Sequence, residues 1–266
     1  MYCKAIVTFL DILGFRQLVS ESSPEIINEI LNVVEKVATP DKEEGLLYNP
    51  ETIIFSDSIV RVRKVDNGEN SKYPIGLIFH ELLDIVHAQS HLIDYGILIR
   101  GGIAFGDISI DENRIFGPAL IRAYDLENNY AKYPRLVLDP ALIKEYKTNK
   151  LLKKLDHTYE MDSEYVKDLI RQGDDGLWYV DYGRAVEGEL DDLDMYPKFL
   201  KRHREVIIQA GSKYKDINRD LEKYFWLATY HNSIVEGLHD EWFAEYALEK
   251  ADLLIGTSEL PALESV

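Results

Sequence analysis

Phe9-Leu10-Asp11-Ile12-Leu13-Gly14-Phe15 is the stretch on which the fold turns. The run Ala5–Ile12 is apolar and β-rich, the pattern of a short strand, and Asp11 interrupts it near its C-terminal end. A tight turn at Leu13-Gly14-Phe15 then leads into a helix. Backbone N–H groups at such a turn can hold phosphate oxygens, and glycine allows the close approach. Gly14 and Phe15 are therefore candidate phosphate-binding residues, and Asp11 a candidate metal ligand.

Outward from this stretch, Pro24 opens a helix in which Ile26, Ile27, Ile30, Leu31, Val34 and Val37 recur at three- and four-residue spacing. Ser22 and Ser23 are its candidate caps. Thr52–Phe55 and Ile59–Val65 are strands flanking Ser56-Asp57-Ser58, which reads as a hairpin tip, and Asp66-Asn67-Gly68 is a loop. Leu77–Ile93 is a second helix. Ile97–Ile103 and Ile108–Ile110 read as strands separated by Gly106-Asp107, and Arg114-Ile115-Phe116 returns beside them. Gly117-Pro118 starts a third helix to about Tyr130, and Arg135–Leu138 is a last strand. The order β-α-ββ-α-ββ-α-β predicts an α+β sandwich related to the ferredoxin-type split βαβ, and disfavours a Rossmann fold.

These patterns assign residues 1–142 to one core, and residues 143–266 to a mostly helical elaboration packed on it. In that second part Lys144–Leu155 looks helical, Gly176–Tyr182 looks like a strand, and long helical patterns run from Tyr196 to about His231, with one more over Asp240–Leu254.

Asp11 and Asp57 stand on neighbouring strands, so both carboxylates can face one cleft. Paired carboxylates suit Mg²⁺ or Mn²⁺, hard ions that keep water for a phosphate substrate. Two such ions can stabilise the attacking and leaving oxygens of a phosphoryl transfer. Arg100, ahead of Gly101-Gly102, could reach a triphosphate or pair with a neighbouring acid. The glycines at 101–106 lack the third member of a dinucleotide fingerprint.

The chain has 266 residues, 47 acids against 30 bases and a net charge of −17, a poor composition for coating nucleic acid or an anionic membrane. Residues 96–135 hold five bases and five acids, whereas 236–266 hold one base and eight acids, so much of the negative charge lies toward the C-terminal end. The single cysteine, Cys3, excludes an intrachain disulfide framework and a Cys-rich zinc site. No basic leader or cleavage site follows Met1, and no apolar run approaches the ~20 residues of a membrane span. These features predict a soluble cytoplasmic protein. His80, His87 and His91 share one helix without an HExxH pattern and read as surface or interface residues, while Trp226 and Tyr230 read as packing.

Together these pieces resemble the class III nucleotidyl cyclase catalytic domain. Phe9–Phe15 resembles that family's first metal motif, Phe55-Ser56-Asp57-Ser58 the second, and Arg100-Gly-Gly-Ile-Ala-Phe-Gly106-Asp107 its Arg-x-Gly-Ile-x-x-Gly strand. Gly117-Pro-Ala-Leu-Ile-Arg-Ala-Tyr-Asp-Leu-Glu127 is similar to the helix that follows. The departures are informative. Ile53 stands where adenylate cyclases place a base-reading Lys, Pro118 where they place Asp, and Ile121 and Asp125 where they place the transition-state Asn and Arg. Both metal carboxylates are kept. The combination, including Trp226–Asn232, resembles the bacterial pyrimidine cyclases of the Pycsar antiphage system.

That resemblance implies conversion of UTP, or else CTP, to the cyclic monophosphate. Asp11, Asp57 and the Ile12 carbonyl would hold two Mg²⁺ or Mn²⁺ ions, and Gly14, Phe15 and, more weakly, Arg122 would hold phosphates. Arg100 would stabilise developing charge, and Tyr48, Ile53 and Pro118 would line the base pocket. It further implies a homodimer with sites at the interface, and a separate effector protein that reads the product. The competing expectations are a catalytically silent nucleotide-binding scaffold of the same fold and, less favoured, a diguanylate cyclase, whose Gly-Gly-Asp/Glu-Glu-Phe hairpin is absent.

Overall fold

A computed structural model describes residues 1–39, 50–65, 75–111, 114–154, 156–190, 192, 194–213 and 218–261. Tyr48, the Asp66–Gly68 loop and Leu155 lie outside the described residues. The chain divides into two compact units. The first comprises Met1–Leu92 and Leu98–Tyr182, and the second Ile93–Ile97 and Gly183–Val266.

The first unit is a mixed α+β fold, as the order of patterns predicts. Strand β1 (Cys3–Ile12) leads into a short helix α1 (Phe15–Glu21) and then α2 (Pro24–Ala38). The single helix expected from Pro24 is thus preceded by a second, and Ser23 stands at the α2 N-cap without a side-chain cap bond. Next come β2 (Glu51–Phe55), β3 (Ser58–Lys64), α3 (Leu77–Asp94), β4 (Ile99–Asp111), β5 (Arg114–Phe116), α4 (Pro118–Asn129) and β6 (Leu136–Leu138). Helices α5 (Pro140–Thr148) and α6 (Tyr159–Val166) and the hairpin β7 (Ile170–Gln172) and β8 (Trp178–Val180) follow. The sheet order is β2-β3-β1-β4-β6-β8-β7, with β5 paired to β4. All of these pairings are antiparallel except β4 with β6. A parallel neighbour needs a crossover, and α4 lies within it.

Two strands expected at Ile97–Ile103 and Ile108–Ile110 are one continuous β4. Gly106 and Asp107 read as a break, yet they pair with Ala5 and Lys4 in the ladder. Consecutive side chains of a strand point to opposite faces. Ala5, Ile6 and Val7 are each 0% exposed, so both faces of central β1 are covered. That explains why its sequence is a near-continuous apolar run. A buried ion network braces one side: Arg61 and Arg63 of β3 bind Glu81 of α3 at 3.0 Å each and Asp84 at 2.6 Å each, and Thr8 Oγ1 donates to Glu81 at 2.7 Å.

The second unit is helical. Its main elements are α8 (Met195–Lys213) and α9 (Asn218–Gly237), with short α10 (Asp240–Glu245) and α11 (Lys250–Leu253) where one longer pattern was expected. Helix α7 (Tyr182–Ala185) begins at the end of the first unit. Within the second unit, His203 and His231 face each other Nδ1 to Nδ1 at 3.0 Å, fully buried. Trp226 stacks on Tyr230 with centroids 5.6 Å apart, the packing role expected of them. Among the described residues no helix is long and apolar enough to cross a membrane.

Candidate active site

The site is assembled by strand register. Asp11, near the end of β1, pairs with Ser58 of β3 on one side and with Arg100 of β4 on the other. The β2–β3 hairpin closes through Ser56 and Asp57, since Phe55 pairs with Ser58. Ser56 takes φ 56°, a left-handed conformation uncommon for a non-glycine residue, which the tight reversal requires. The Ile12 N–H donates to the Asp57 carbonyl at 3.2 Å, so the hairpin tip is tied to the end of β1 by main chain alone.

Asp11 and Asp57 thereby come close enough for each carboxyl to feel the other's charge. Burial pushes the Asp11 carboxyl above the usual carboxylate range; the neighbouring Asp57 adds to this, and Arg100 opposes it without cancelling it. Arg100 Nε donates to Asp11 Oδ2 at 3.1 Å, and its other end lies 2.6 Å from Glu127 Oε1 of α4. Arg100 thus holds two carboxylates, one in the strand and one on the helix.

Glycine makes the second contact possible. A Cβ on Gly102 would stand 2.4 Å from the Ala123 carbonyl oxygen and 2.5 Å from Leu126 Cβ, so only glycine lets α4 lie this close to β4. Glu127 follows Leu126 directly and is 4% exposed. It was not among the residues singled out from sequence. The signal that could have found it is its place at the end of the Ala119, Ala123, Leu126 buried stripe, where a carboxylate is a poor fit unless paired.

The turn after Asp11 places Gly14 at φ 80° as the N-cap of α1, its carbonyl accepting from Gln17 and Leu18. Phe15 is buried beneath it. Arg122 lies elsewhere on α4 and forms a two-pronged pair with Asp139, at 2.9 and 3.0 Å. Ile53 is half-buried opposite Val60, and Pro118 is exposed at the first turn of α4. Ile121 and Tyr124 are exposed on that helix. His87 and His91 are exposed, while burial and then the Arg63 charge push His80 down to about 4.

Two neighbouring partly buried carboxylates, one of them pushed toward protonation, make an oxygen-rich site that a hard cation would relieve. Among the described residues, no group of three or more His, Cys, Asp or Glu forms a closed cage. Two carboxylates leave most positions around a hard cation to water or substrate oxygens.

No family model matches the chain. Among solved structures, it is similar to a bacterial light-regulated adenylyl cyclase, at 14% identity over 56% of this chain and 81% of that one, with a TM-score of 0.37. It is also similar to a class III adenylyl cyclase-like ATP-binding protein from Pseudomonas aeruginosa, at 13% identity over 62% of this chain and 40% of that one, with a TM-score of 0.40. A third is the catalytic core of a rhodopsin-guanylyl cyclase with converted specificity, at 16% identity over 67% and 95%, with a TM-score of 0.36.

Proposed function

We propose that the chain is a class III-type nucleotidyl cyclase acting on a pyrimidine nucleoside triphosphate, UTP before CTP. The product would be the 3′,5′-cyclic monophosphate with release of pyrophosphate. The observation that carries this is the meeting of Asp11 and Asp57 beside Arg100, at the point where three of the four motifs converge. The fourth motif, α4, supplies the carboxylate behind Arg100.

In the reaction the substrate 3′-hydroxyl gives up its proton to water, its oxygen bonds to the α-phosphorus, the bond from that phosphorus to the bridging oxygen breaks, and pyrophosphate leaves. Asp11 and Asp57, with the Ile12 carbonyl, would hold two Mg²⁺ or Mn²⁺ ions, which when bound would lower the pKa of the attacking hydroxyl and neutralise the triphosphate. Arg100 stabilises charge developing on the phosphate oxygens. Gly14 and Phe15 offer backbone N–H groups at the turn. Arg122 would contribute only by releasing Asp139, so its role is the smaller.

Apolar Ile53 and rigid Pro118 in place of the purine readers favour a smaller base, with Tyr48 as the stacking residue. The exposed apolar side chains of Ile121 and Tyr124 support a homodimer through this face, with the site at the interface. As a second-messenger synthase the protein would act in the bacterial cytoplasm in antiphage defence, its product read by a separate effector protein. Incubation of the purified protein with Mn²⁺ and each of the four common nucleoside triphosphates, followed by mass identification of products, tests the reading.

A further inference from the structure

Arg100 is held by two acids at once, and the two contacts are unlike. Toward Asp11 it donates a hydrogen bond from Nε at 3.1 Å. Toward Glu127 it approaches to 2.6 Å, but off the N–H direction, so Oε1 of Glu127 accepts no hydrogen bond. Glu127 is 4% exposed. A buried carboxylate held to a guanidinium by charge and not by an aligned hydrogen bond can follow the guanidinium when it moves.

The geometry points to Glu127 as a positioning residue that acts through Arg100 to keep the Asp11–Asp57 pair open to a divalent cation, an inference that rests on the proposed function. Arg100 and a metal ion compete for Asp11, since both are cations and Arg100 already occupies Oδ2. Nη1 of Arg100 also donates to the Ala131 carbonyl at 3.4 Å, a neutral acceptor that leaves Asp11 the stronger draw on the guanidinium unless an acid opposes it. Glu127 draws it the other way, across the narrow gap that Gly102 creates between α4 and β4. When a cation takes Asp11, Glu127, already 2.6 Å from the guanidinium, keeps a buried counter-charge on it. Arg100 thereby stays beside the reacting phosphate and is not lost to solvent.

A plain charge effect predicts something different. If Glu127 merely adds negative potential, its removal weakens cation binding by one factor whether or not Arg100 is present. A double-mutant cycle separates the two cases. Mn²⁺ binding is measured by titration calorimetry or electron paramagnetic resonance on the full chain, for the wild type, Arg100→Gln, Glu127→Gln and the double variant.

The expected pattern is tighter binding for Arg100→Gln, by about fivefold, and weaker binding for Glu127→Gln by a similar factor. The double variant is expected to match Arg100→Gln alone. Equal weakening by Glu127→Gln in both backgrounds, or none in either, would overturn the inference while leaving the metal site standing. Absence of Mn²⁺ binding in every variant that retains the wild-type circular dichroism would overturn the proposed function and the inference together. Glu127→Asp serves as the second variant should the isosteric Gln fail to fold; its shorter carboxylate keeps the charge but releases Arg100, so it too must weaken binding only where Arg100 is present.

Discussion

The backbone N–H of Ile12 donates to the carbonyl of Asp57 across 3.2 Å. The two acid-bearing segments are therefore joined by main chain, independently of their carboxylates. Asp57→Ala keeps that bond, so the fold is expected to survive. Its thermal melt is expected to stay near that of the wild type, while turnover falls about a thousandfold, the scale on which a principal electrostatic stabiliser acts. An active Asp57→Ala, or one that loses its cooperative melt, would separate this residue from the role assigned to it.

Gly102 and Gly106 make a contrasting pair on β4. A Cβ at Gly102 meets the Ala123 carbonyl oxygen at 2.4 Å, whereas one at Gly106 meets Ala119 Cβ at an ordinary 3.5 Å. Gly102→Ala is expected to cost about 1–3 kcal/mol in denaturant unfolding and to impair activity by moving α4 off β4. Gly106→Ala is expected to change stability by less than about 1 kcal/mol, and in the stabilising direction. Equal losses at the two positions would contradict the close-approach argument.

The Arg61–Glu81–Arg63 network sets an acid limit. Burial raises the Glu81 pKa, but Arg61 and Arg63 outweigh it and bring it down to about 2 from an ordinary 4.5. The unfolded chain takes up a proton first, so this contribution is present above pH 4.5 and is lost as pH falls toward about 2. Glu81→Gln is expected to cost about 3–5 kcal/mol at neutral pH, because it leaves two buried guanidinium groups with one fewer partner. It should also flatten the pH dependence of stability in that window. A variant as stable as the wild type would show that the network is dispensable.

The His203–His231 pair gives the helical unit its own, higher window. His231 Nε2 donates to the Leu253 carbonyl at 2.8 Å, so in the neutral pair His231 Nδ1 accepts from His203 Nδ1–H. Burial pushes His231 down from 6.5 to about 4, the Leu253 carbonyl opposing this and the Arg204 charge adding to it; burial, and then the His231 charge, lowers His203 as well. The unfolded chain then binds more protons between those values, and stability falls as pH drops from 6.5 toward about 4. Amide hydrogen exchange in α8 and α9 should speed up at pH 5 relative to pH 7, after correction for intrinsic rates. His203→Phe should remove part of that difference. Unchanged protection down to pH 4 would rule the pair out as the acid-sensitive element.

Much of this was legible in the sequence because the two acids come as a pair: either alone reads as an ordinary turn-forming Asp, but one ends an apolar strand and the other sits at the tip between two more. Asp11 and Asp57 stand out against Ala5–Ile12 and Ile59–Val65, and the structure brings them together. Glu127 did not stand out, because a charged residue on an amphipathic helix reads as part of a solvated face; its burial follows from the Gly102 contact, which is a tertiary fact. Arg61 and Arg63 were hidden the same way, since alternation on a strand suggests an exposed face, and α3 covers it here. The continuity of β4 was obscured by Gly106-Asp107, whose turn-like composition yields to pairing with Lys4 and Ala5. Spacing does not fix the direction of Arg122 on its helix, and its pairing with Asp139, ten residues beyond the end of α4, is a tertiary contact.

The central claim is that the Asp11–Asp57 pair supports divalent-metal-dependent cyclisation of a pyrimidine triphosphate. Its most direct test is mass analysis of the products formed when purified protein is incubated with Mn²⁺ and, separately, ATP, GTP, UTP or CTP, with a parallel EDTA control. The predicted result is a 3′,5′-cyclic pyrimidine monophosphate, mainly from UTP, with negligible product in EDTA. Product from ATP or GTP alone, or nucleotide binding with no cyclic product from any of the four, would contradict it.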